Sequence, residues 1–262
     1  DIIEIVHAEK VTLVGAVPTV WIAIQAILEK EPHWDISSIR CIPIGGSAAP
    51  RTLIEDFDKK YGAYMLHAWG MTEMSPLGTV CRPRSYTDGL PDDERYAIRA
   101  KQGSVVAGVD MRMVDDAGHV QPWDGKAVGE IQVRGPWVTS GYYNNPAGAA
   151  QFTDDGWFRT GDVASIDLDG YVQITDRTKD LIKSGGEWIS SVDMERTIMG
   201  HPKVLEAAVI SVPHDKWVER PLACVVPKPE WKGRLTKQEI LDYLAPRVAN
   251  RWLPLDVAFI VA

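Results

Sequence analysis

Between Ile39 and Tyr61 the chain reads strand, glycine turn, helix, and this order constrains the fold more tightly than any other stretch. Ile39-Arg40-Cys41-Ile42-Pro43-Ile44 is a short apolar run ending at Gly45-Gly46. Pro50 then stands in the first turn of an amphipathic segment, Arg51–Tyr61, where its missing N–H costs nothing. Upstream, Pro18 precedes Thr19–Glu29, in which Val20, Ile24, Ile27 and Leu28 recur at helical spacing. Helices around a short buried strand predict a partial doubly wound α/β layer over residues 1–100, whose ligands lie beyond the carboxyl ends of the strands.

From about Gly103 the period changes from helical to two. Val105–Val114, Gly129–Arg134 and Tyr171–Thr175 alternate apolar and polar residues, with turns at Asp115-Asp116-Ala117-Gly118 and Asp167-Leu168-Asp169-Gly170 between them. Residues 101–176 are therefore predicted to form a small antiparallel β-barrel or sandwich. Beyond Arg177 the pattern predicts a helix near Val192–Met199, strands Val204–Val212 and Leu222–Val226, a helix Lys237–Arg247 and a last strand Val257–Val261. Thr236 and Glu239 form a capping-box pair for the last helix, and Pro246 is expected to kink it. Residues 177–262 thus read as a compact α+β lobe.

A formal net charge of -8 without a basic stripe argues against a nucleic-acid partner, while leaving room for an anion held by local cations such as Arg177 and Lys183. Cys41, Cys81 and Cys224 are widely spaced and make no CxxC pair, so neither a disulfide framework nor a zinc site is expected. No apolar run is long enough to span a bilayer, no basic leader opens the chain, and the cytoplasm is the default compartment. The first residue is Asp1, and a longer polypeptide is expected on that ground.

Four segments carry chemistry. In Gly45-Gly46-Ser47-Ala48-Ala49-Pro50 the glycines let a flat ligand approach the backbone and the following helix start favours negative charge; alone, the same residues also make a plain strand-to-helix turn. Trp69-Gly70-Met71-Thr72-Glu73 offers an aromatic plane for adenine, a hydroxyl for a phosphate oxygen and a carboxylate for Mg²⁺. Its plainer reading is a buried tryptophan beside a solvated helix start, and His67, readable as a satisfied core histidine, stays outside the site. Asp154-Asp155-Gly156-Trp157-Phe158-Arg159-Thr160-Gly161-Asp162 ends on a carboxylate suited to a ribose diol, or to a surface ion pair with Arg177. Asp176-Arg177-Thr178-Lys179-Asp180-Leu181-Ile182-Lys183-Ser184-Gly185-Gly186 sets an arginine and lysines beside glycines that admit a thin chain.

In this order and spacing these segments resemble the signature set of the adenylate-forming superfamily, and its AMP-forming acyl-CoA synthetases in particular. Gly185-Gly186-Glu187-Trp188 is similar to medium- and long-chain fatty-acyl-CoA ligases and to 3-methylmercaptopropionyl-CoA ligases. The resemblance implies that residues 1–176 are the C-terminal part of a large AMP-binding domain and 177–262 a small, mobile, truncated lobe. It implies that Gly46, Ser47, Ala48, Trp69, Gly70, Thr72, Asp162 and Arg177 bind nucleotide and that Thr72 and Glu73 act in catalysis, Glu73 with Mg²⁺. Lys179 becomes the hinge, and Lys183, Ser184, Gly185, Gly186 and Trp188 line a tunnel for CoA, Trp188 being open also to a core role. Glu219-Arg220-Pro221 reads as a structural turn.

The implied reaction joins a fatty or other apolar carboxylic acid to ATP as acyl-AMP and passes the acyl group to CoA, in an enzyme whose homodimer is one expected state. A ligase that loads a carrier protein and a non-catalytic nucleotide-binding module remain the alternatives. The superfamily's Ser/Thr/Gly-rich phosphate loop and its catalytic lysine have no counterpart in these 262 residues, so the chain alone is expected not to form acyl-AMP.

Overall fold

A proline stands at the start of three helices in the first hundred residues of the computed structural model, which describes residues 2–178, 181–185 and 187–260. A helix with no counterpart in the sequence expectations, α1 (Ile2–Glu9), buries Ile3 and Val6. In α2 (Pro18–Lys30) the proline is itself the first helical residue, and the buried stripe is Pro18, Trp21, Ile24 and Leu28. Val20 and Ile27 flank that stripe and are partly buried, because the seven-residue frame starts at Trp21. The strand β1 (Cys41–Ile44) follows, then α3 (Arg51–Tyr61), entered through Pro50 and closed by Gly62 at φ 64. Gly62 donates its N–H to Asp58 and Phe57, the left-handed stop that glycine adopts at least cost.

After α3 the chain enters β2 (Tyr64–Gly70), which lies parallel to β1 with Ile44 opposite His67. β3 (Leu77–Val80) returns antiparallel to β2, α4 (Asp92–Arg99) crosses over, and β4 (Ser104–Val105) pairs β3, giving the sheet order β1-β2-β3-β4. Helix α4 is mostly polar and buries only Tyr96 and Arg99, so periodicity hides it; its acidic first turn after Pro91 was the available signal.

The expected strand over Val105–Val114 is two. Gly108 at φ 96 turns the chain between β4 and β5 (Asp110–Val114). β5 joins β6 (Gly129–Arg134), β7 (Phe158–Ile166) and β8 (Val172–Arg177) in an open four-stranded sheet, and no pairing closes it into a barrel among the described residues. Both aspartate-glycine turns form: Asp115 accepts from the N–H groups of Ala117 and His119, and Asp167 from those of Asp169 and Tyr171.

The remaining elements are β9 (Ile182–Ser184), β10 (Glu187–Ile189), α5 (Ser191–Met199), β11 (Val204–His214), β12 (Val218–Pro227), α6 (Lys237–Leu244) and β13 (Asp256–Phe259). Strands run β10-β9-β12-β11, with β13 parallel to β12, over a core that includes Ile182, Met194, Val225, Ile240 and Val257. The capping box is complete: Thr236 Oγ1 accepts from Glu239 N, and Glu239 accepts from Thr236 N. Pro246 does not kink α6. The helix stops at Leu244, because a proline further along would remove an i→i−4 bond and collide with the preceding turn.

The chain divides into two compact units, Asp1–Thr160 with Ala164–Ile174, and Gly161–Val163 with Thr175–Ala262. No helix among the described residues is long and apolar enough to cross a membrane. In the second unit Val218 holds φ 70 at the start of β12. A β-branched residue there carries about 1–3 kcal/mol of strain. Glycine removes it at about 0.5–1 kcal/mol of extra chain entropy. Val218→Gly is therefore expected to stabilise the second unit by about 1 kcal/mol, seen as a higher urea midpoint at unchanged m-value.

Candidate functional site

In the first unit the parallel pairing of β1 with β2 sets their carboxyl ends side by side. The turn beyond β1 is Gly45–Pro50, and the residues beyond β2 are Met71-Thr72-Glu73, so two of the four motifs share one edge of the sheet. A β-carbon on Gly45 would stand 2.8 Å from the Ala68 carbonyl, which shows how closely the turn lies on β2. Gly46 has φ 83, and Gly46, Ser47 and Ala48 are exposed. His67 is 1% exposed. Its Nε2 accepts from Ala49 N at 3.3 Å and its Nδ1 faces the Ala100 carbonyl at 3.0 Å, an arrangement met by the neutral ring with its proton on Nδ1. His67 is thus a core histidine, and it fastens the Gly45–Pro50 turn to the sheet.

Gly70 is where β2 gives way to the next turn. Met71 N donates to the Pro76 carbonyl at 2.8 Å, and Thr72–Met74 form one 3-10 turn. Trp69 is 7% exposed, packs in a cluster with Met74, Val109, Met113 and Phe158, and lies over Gly78, whose added β-carbon would meet its ring at 2.5 Å. Burial is therefore what the structure gives Trp69. Thr72 is exposed and Glu73 half-buried. Glu73 Oε1 accepts from the Tyr142 hydroxyl at 2.8 Å, and its carbonyl accepts from Thr139 N at 2.7 Å. Burial, and then the neighbouring Glu73 carboxylate, push the Tyr142 hydroxyl up to about 12, so it is a donor at neutral pH. Sequence reasoning missed Tyr142. Its signal was the turn-rich Ser140-Gly141-Tyr142-Tyr143-Asn144-Asn145-Pro146.

No group of three or more His, Cys, Asp or Glu residues that could hold a metal occurs among the described residues. One half-buried carboxylate fits Mg²⁺ that arrives with phosphate oxygens and water as its other ligands, and does not fit a metal caged by protein alone.

The front of the Asp154–Asp162 motif builds the sheet. Arg112 grips Asp155 through two bonds of 2.8 and 3.1 Å, holding that carboxyl down at about 2. The guanidinium carbons of Arg112 and Arg134 each lie 4.5 Å from the Trp157 ring.

In the second unit Gly161 has φ 72, and its carbonyl accepts from Thr178 N and Oγ1 at 2.7 and 3.1 Å. This brings Asp162 and Arg177 together, Oδ1 to Nε 3.5 Å, with side chains 13% and 62% exposed. Asp176, 4% exposed, accepts from Ser191 N at 2.7 Å and Ser191 Oγ at 3.0 Å, tying the Asp176-Arg177 step to the start of α5. Lys179 and Gly186 lie outside the described residues. Lys183 Nζ stands 5.7 Å from the centre of the half-buried Trp188 ring, Ser184 is buried, and Gly185 is exposed at φ 59. A β-carbon on Gly185 would meet the Trp217 ring at 2.6 Å. Glu219-Arg220-Pro221, read from sequence as a turn, lies in β12 paired to β11; Glu219 accepts from Lys183 N and Arg220 donates to the carbonyls of Arg251 and Leu253, so this strand supports the lysine-glycine loop.

With this geometry in view, the decisive comparison is with family profiles. The profile of the AMP-binding enzyme family matches residues 1–143, and that of the AMP-binding enzyme C-terminal domain matches residues 193–262. The chain belongs to the AMP-binding enzyme family. Among similar members, the long-chain-fatty-acid–CoA ligase of Thermus thermophilus is 46% identical over 253 residues, 96% of this chain and 46% of that protein. The medium-chain-fatty-acid–CoA ligase of Ectopseudomonas oleovorans is 42% identical over 98% of this chain and 46% of its own length. The 3-methylmercaptopropionyl-CoA ligase of Ruegeria lacuscaerulensis is 42% identical over 100% of this chain and 48% of its own. The chain spans about half the length of the curated relatives it matches. Among solved AMP-binding enzymes, the o-succinylbenzoate CoA synthetase of Bacillus subtilis in complex with its acyl-adenylate superposes with a TM-score of 0.80 at 29% identity, covering 99% of this chain and 49% of that one. ATP-bound MatB from Rhodopseudomonas palustris gives 0.78 at 29% identity, over 99% and 48%.

Proposed function

We propose that this chain carries the nucleotide- and CoA-facing residues of an AMP-forming acyl-CoA synthetase acting on a fatty or other apolar carboxylic acid. The observation that carries this reading is the 41–46% identity, across essentially the whole chain, to four proteins each named as an acid–CoA ligase. In the proposal the exposed Gly46, Ser47 and Ala48 backbone runs along adenine, with Trp69 beside one edge of the ring. Gly70 turns the chain so that Thr72 donates to a phosphate oxygen. Asp162 accepts from both ribose hydroxyls while Arg177 faces the ribose and phosphate. Glu73 would hold Mg²⁺, which when bound neutralises phosphate charge. Lys183, Ser184, Gly185 and Trp188 would flank the pantetheine arm. Lys179 as hinge and Gly186 as a tunnel residue complete the assignment.

Thioester formation then needs the thiol of CoA to attack the acyl carbonyl carbon, forming C–S, breaking the C–O bond to AMP and releasing the thiol proton to solvent. This half-reaction is testable with preformed octanoyl-AMP, which makes the β- and γ-phosphates irrelevant. Offered CoA and, in a separate reaction, a holo carrier protein, the chain is expected to yield octanoyl-CoA and AMP above background with CoA and little octanoyl-carrier thioester. Preference for the carrier protein would move the reading to a carrier-loading ligase. Binding of octanoyl-AMP without transfer to either acceptor would leave a nucleotide-binding module.

A further inference from the structure

Resting on that reading, we infer that Tyr142 is the positioning residue that sets the orientation of the Glu73 carboxylate toward a nucleotide-borne divalent cation. Glu73 is gripped twice by one short stretch of chain. Thr139 N donates to its carbonyl at 2.7 Å and the Tyr142 hydroxyl donates to Oε1 at 2.8 Å. That stretch is itself braced, because Thr139 Oγ1 lies 2.9 Å from the Gly141 carbonyl and 3.3 Å from Gly141 N. The Tyr142 ring is held from its other side. A β-carbon on Gly148 would come within 2.6 Å of Tyr142 Cδ2, and the Phe152 ring stands edge-on at 6.4 Å.

Tyr142 is 37% exposed, so its hydroxyl has water available and does not need Glu73 to be satisfied. The bond matters to the carboxylate instead. With Oε1 committed to the phenol, the plane of the carboxyl group is fixed and Oε2, which takes no hydrogen bond from the described residues, is directed to one side. A magnesium ion tolerates little departure from octahedral geometry, so an oriented single carboxylate binds it better than a rotating one.

The test is calorimetric titration of ATP into the wild-type chain, Tyr142→Phe and Gly148→Ala, each with excess Mg²⁺ and with EDTA. Gly148→Ala reaches the same bond independently, keeping the hydroxyl while displacing the ring, and it decides the matter should Tyr142→Phe fail to fold. Magnesium is expected to strengthen ATP binding to the wild type, and each substitution to remove about tenfold of that gain while binding in EDTA stays unchanged. A merely structural role would weaken binding equally in both conditions. Full retention of the magnesium gain in both variants overturns the positioning role and leaves the nucleotide site standing. A wild type that binds ATP with no magnesium gain removes Glu73, and Tyr142 with it, from any metal role. A wild type that binds no ATP under either condition overturns the functional reading and this inference together.

Discussion

Alanine at Gly70 is expected to destabilise the first unit by about 3 kcal/mol or more, an effect in the range that backbone collisions and overpacking produce. The added β-carbon would lie 1.8 Å from the Pro76 carbonyl oxygen and 3.1 Å from Leu77 Cα. Both are backbone, so no rotamer change makes room. Relief requires β2 and β3 to separate, which breaks the 2.8 Å bond from Met71 N to Pro76 and pulls on Trp69 and Met74 in the core beneath. The matched control is Gly62→Ala. Gly62 needs a left-handed backbone, at φ 64, which Gly70 does not, and an added β-carbon there meets nothing within 4 Å. It should cost only about 1 kcal/mol. Urea midpoints of the two variants check the contrast, and equal midpoints would show that Gly70 is not held as described.

Asp162→Ala is expected to weaken AMP binding by about 30-fold, or 2 kcal/mol, because a carboxylate that accepts from two hydroxyls makes charge-assisted bonds worth about 1.5–3 kcal/mol. The plainer account of Asp162 is its 3.5 Å pair with Arg177. That account predicts little change. The arginine side chain is 62% exposed, and pairs of that kind contribute about 0–1 kcal/mol. Fold stability should accordingly shift by less than ligand affinity does, and thermal unfolding with and without saturating AMP separates the two effects.

Much of this fold was legible because local chemistry and tertiary structure agree. Pro50 and Gly62 bound α3, Thr236 and Glu239 box the start of α6, and the aspartate-glycine turns at 115–118 and 167–170 form as read. Legibility failed where the deciding contact was distant in sequence. Helix α4 is fixed by Tyr96 and Arg99 bonding to Asp58 at 2.6 and 2.7 Å, partners about forty residues away that no window contains. Tyr142 meets Glu73 across 69 residues. Pro246 was read as a kink because the pattern of apolar residues runs past Leu244, yet the proline's geometry ends the helix. At the candidate site the motifs announced which residue types were present. The parallel register of β1 and β2 was needed to set Gly46-Ser47-Ala48 on the same edge as Thr72 and Glu73.

The central claim is that Asp162 grips the ribose of an adenylate, and the most direct measurement removes the ribose hydroxyls instead of the protein. Calorimetry should find that the wild-type chain prefers AMP to 2′,3′-dideoxy-AMP by about 30-fold, the worth of a bidentate charge-assisted contact, and that Asp162→Ala binds both nucleotides alike. Equal affinity of the wild type for the two nucleotides, or an undiminished preference in Asp162→Ala, would contradict it.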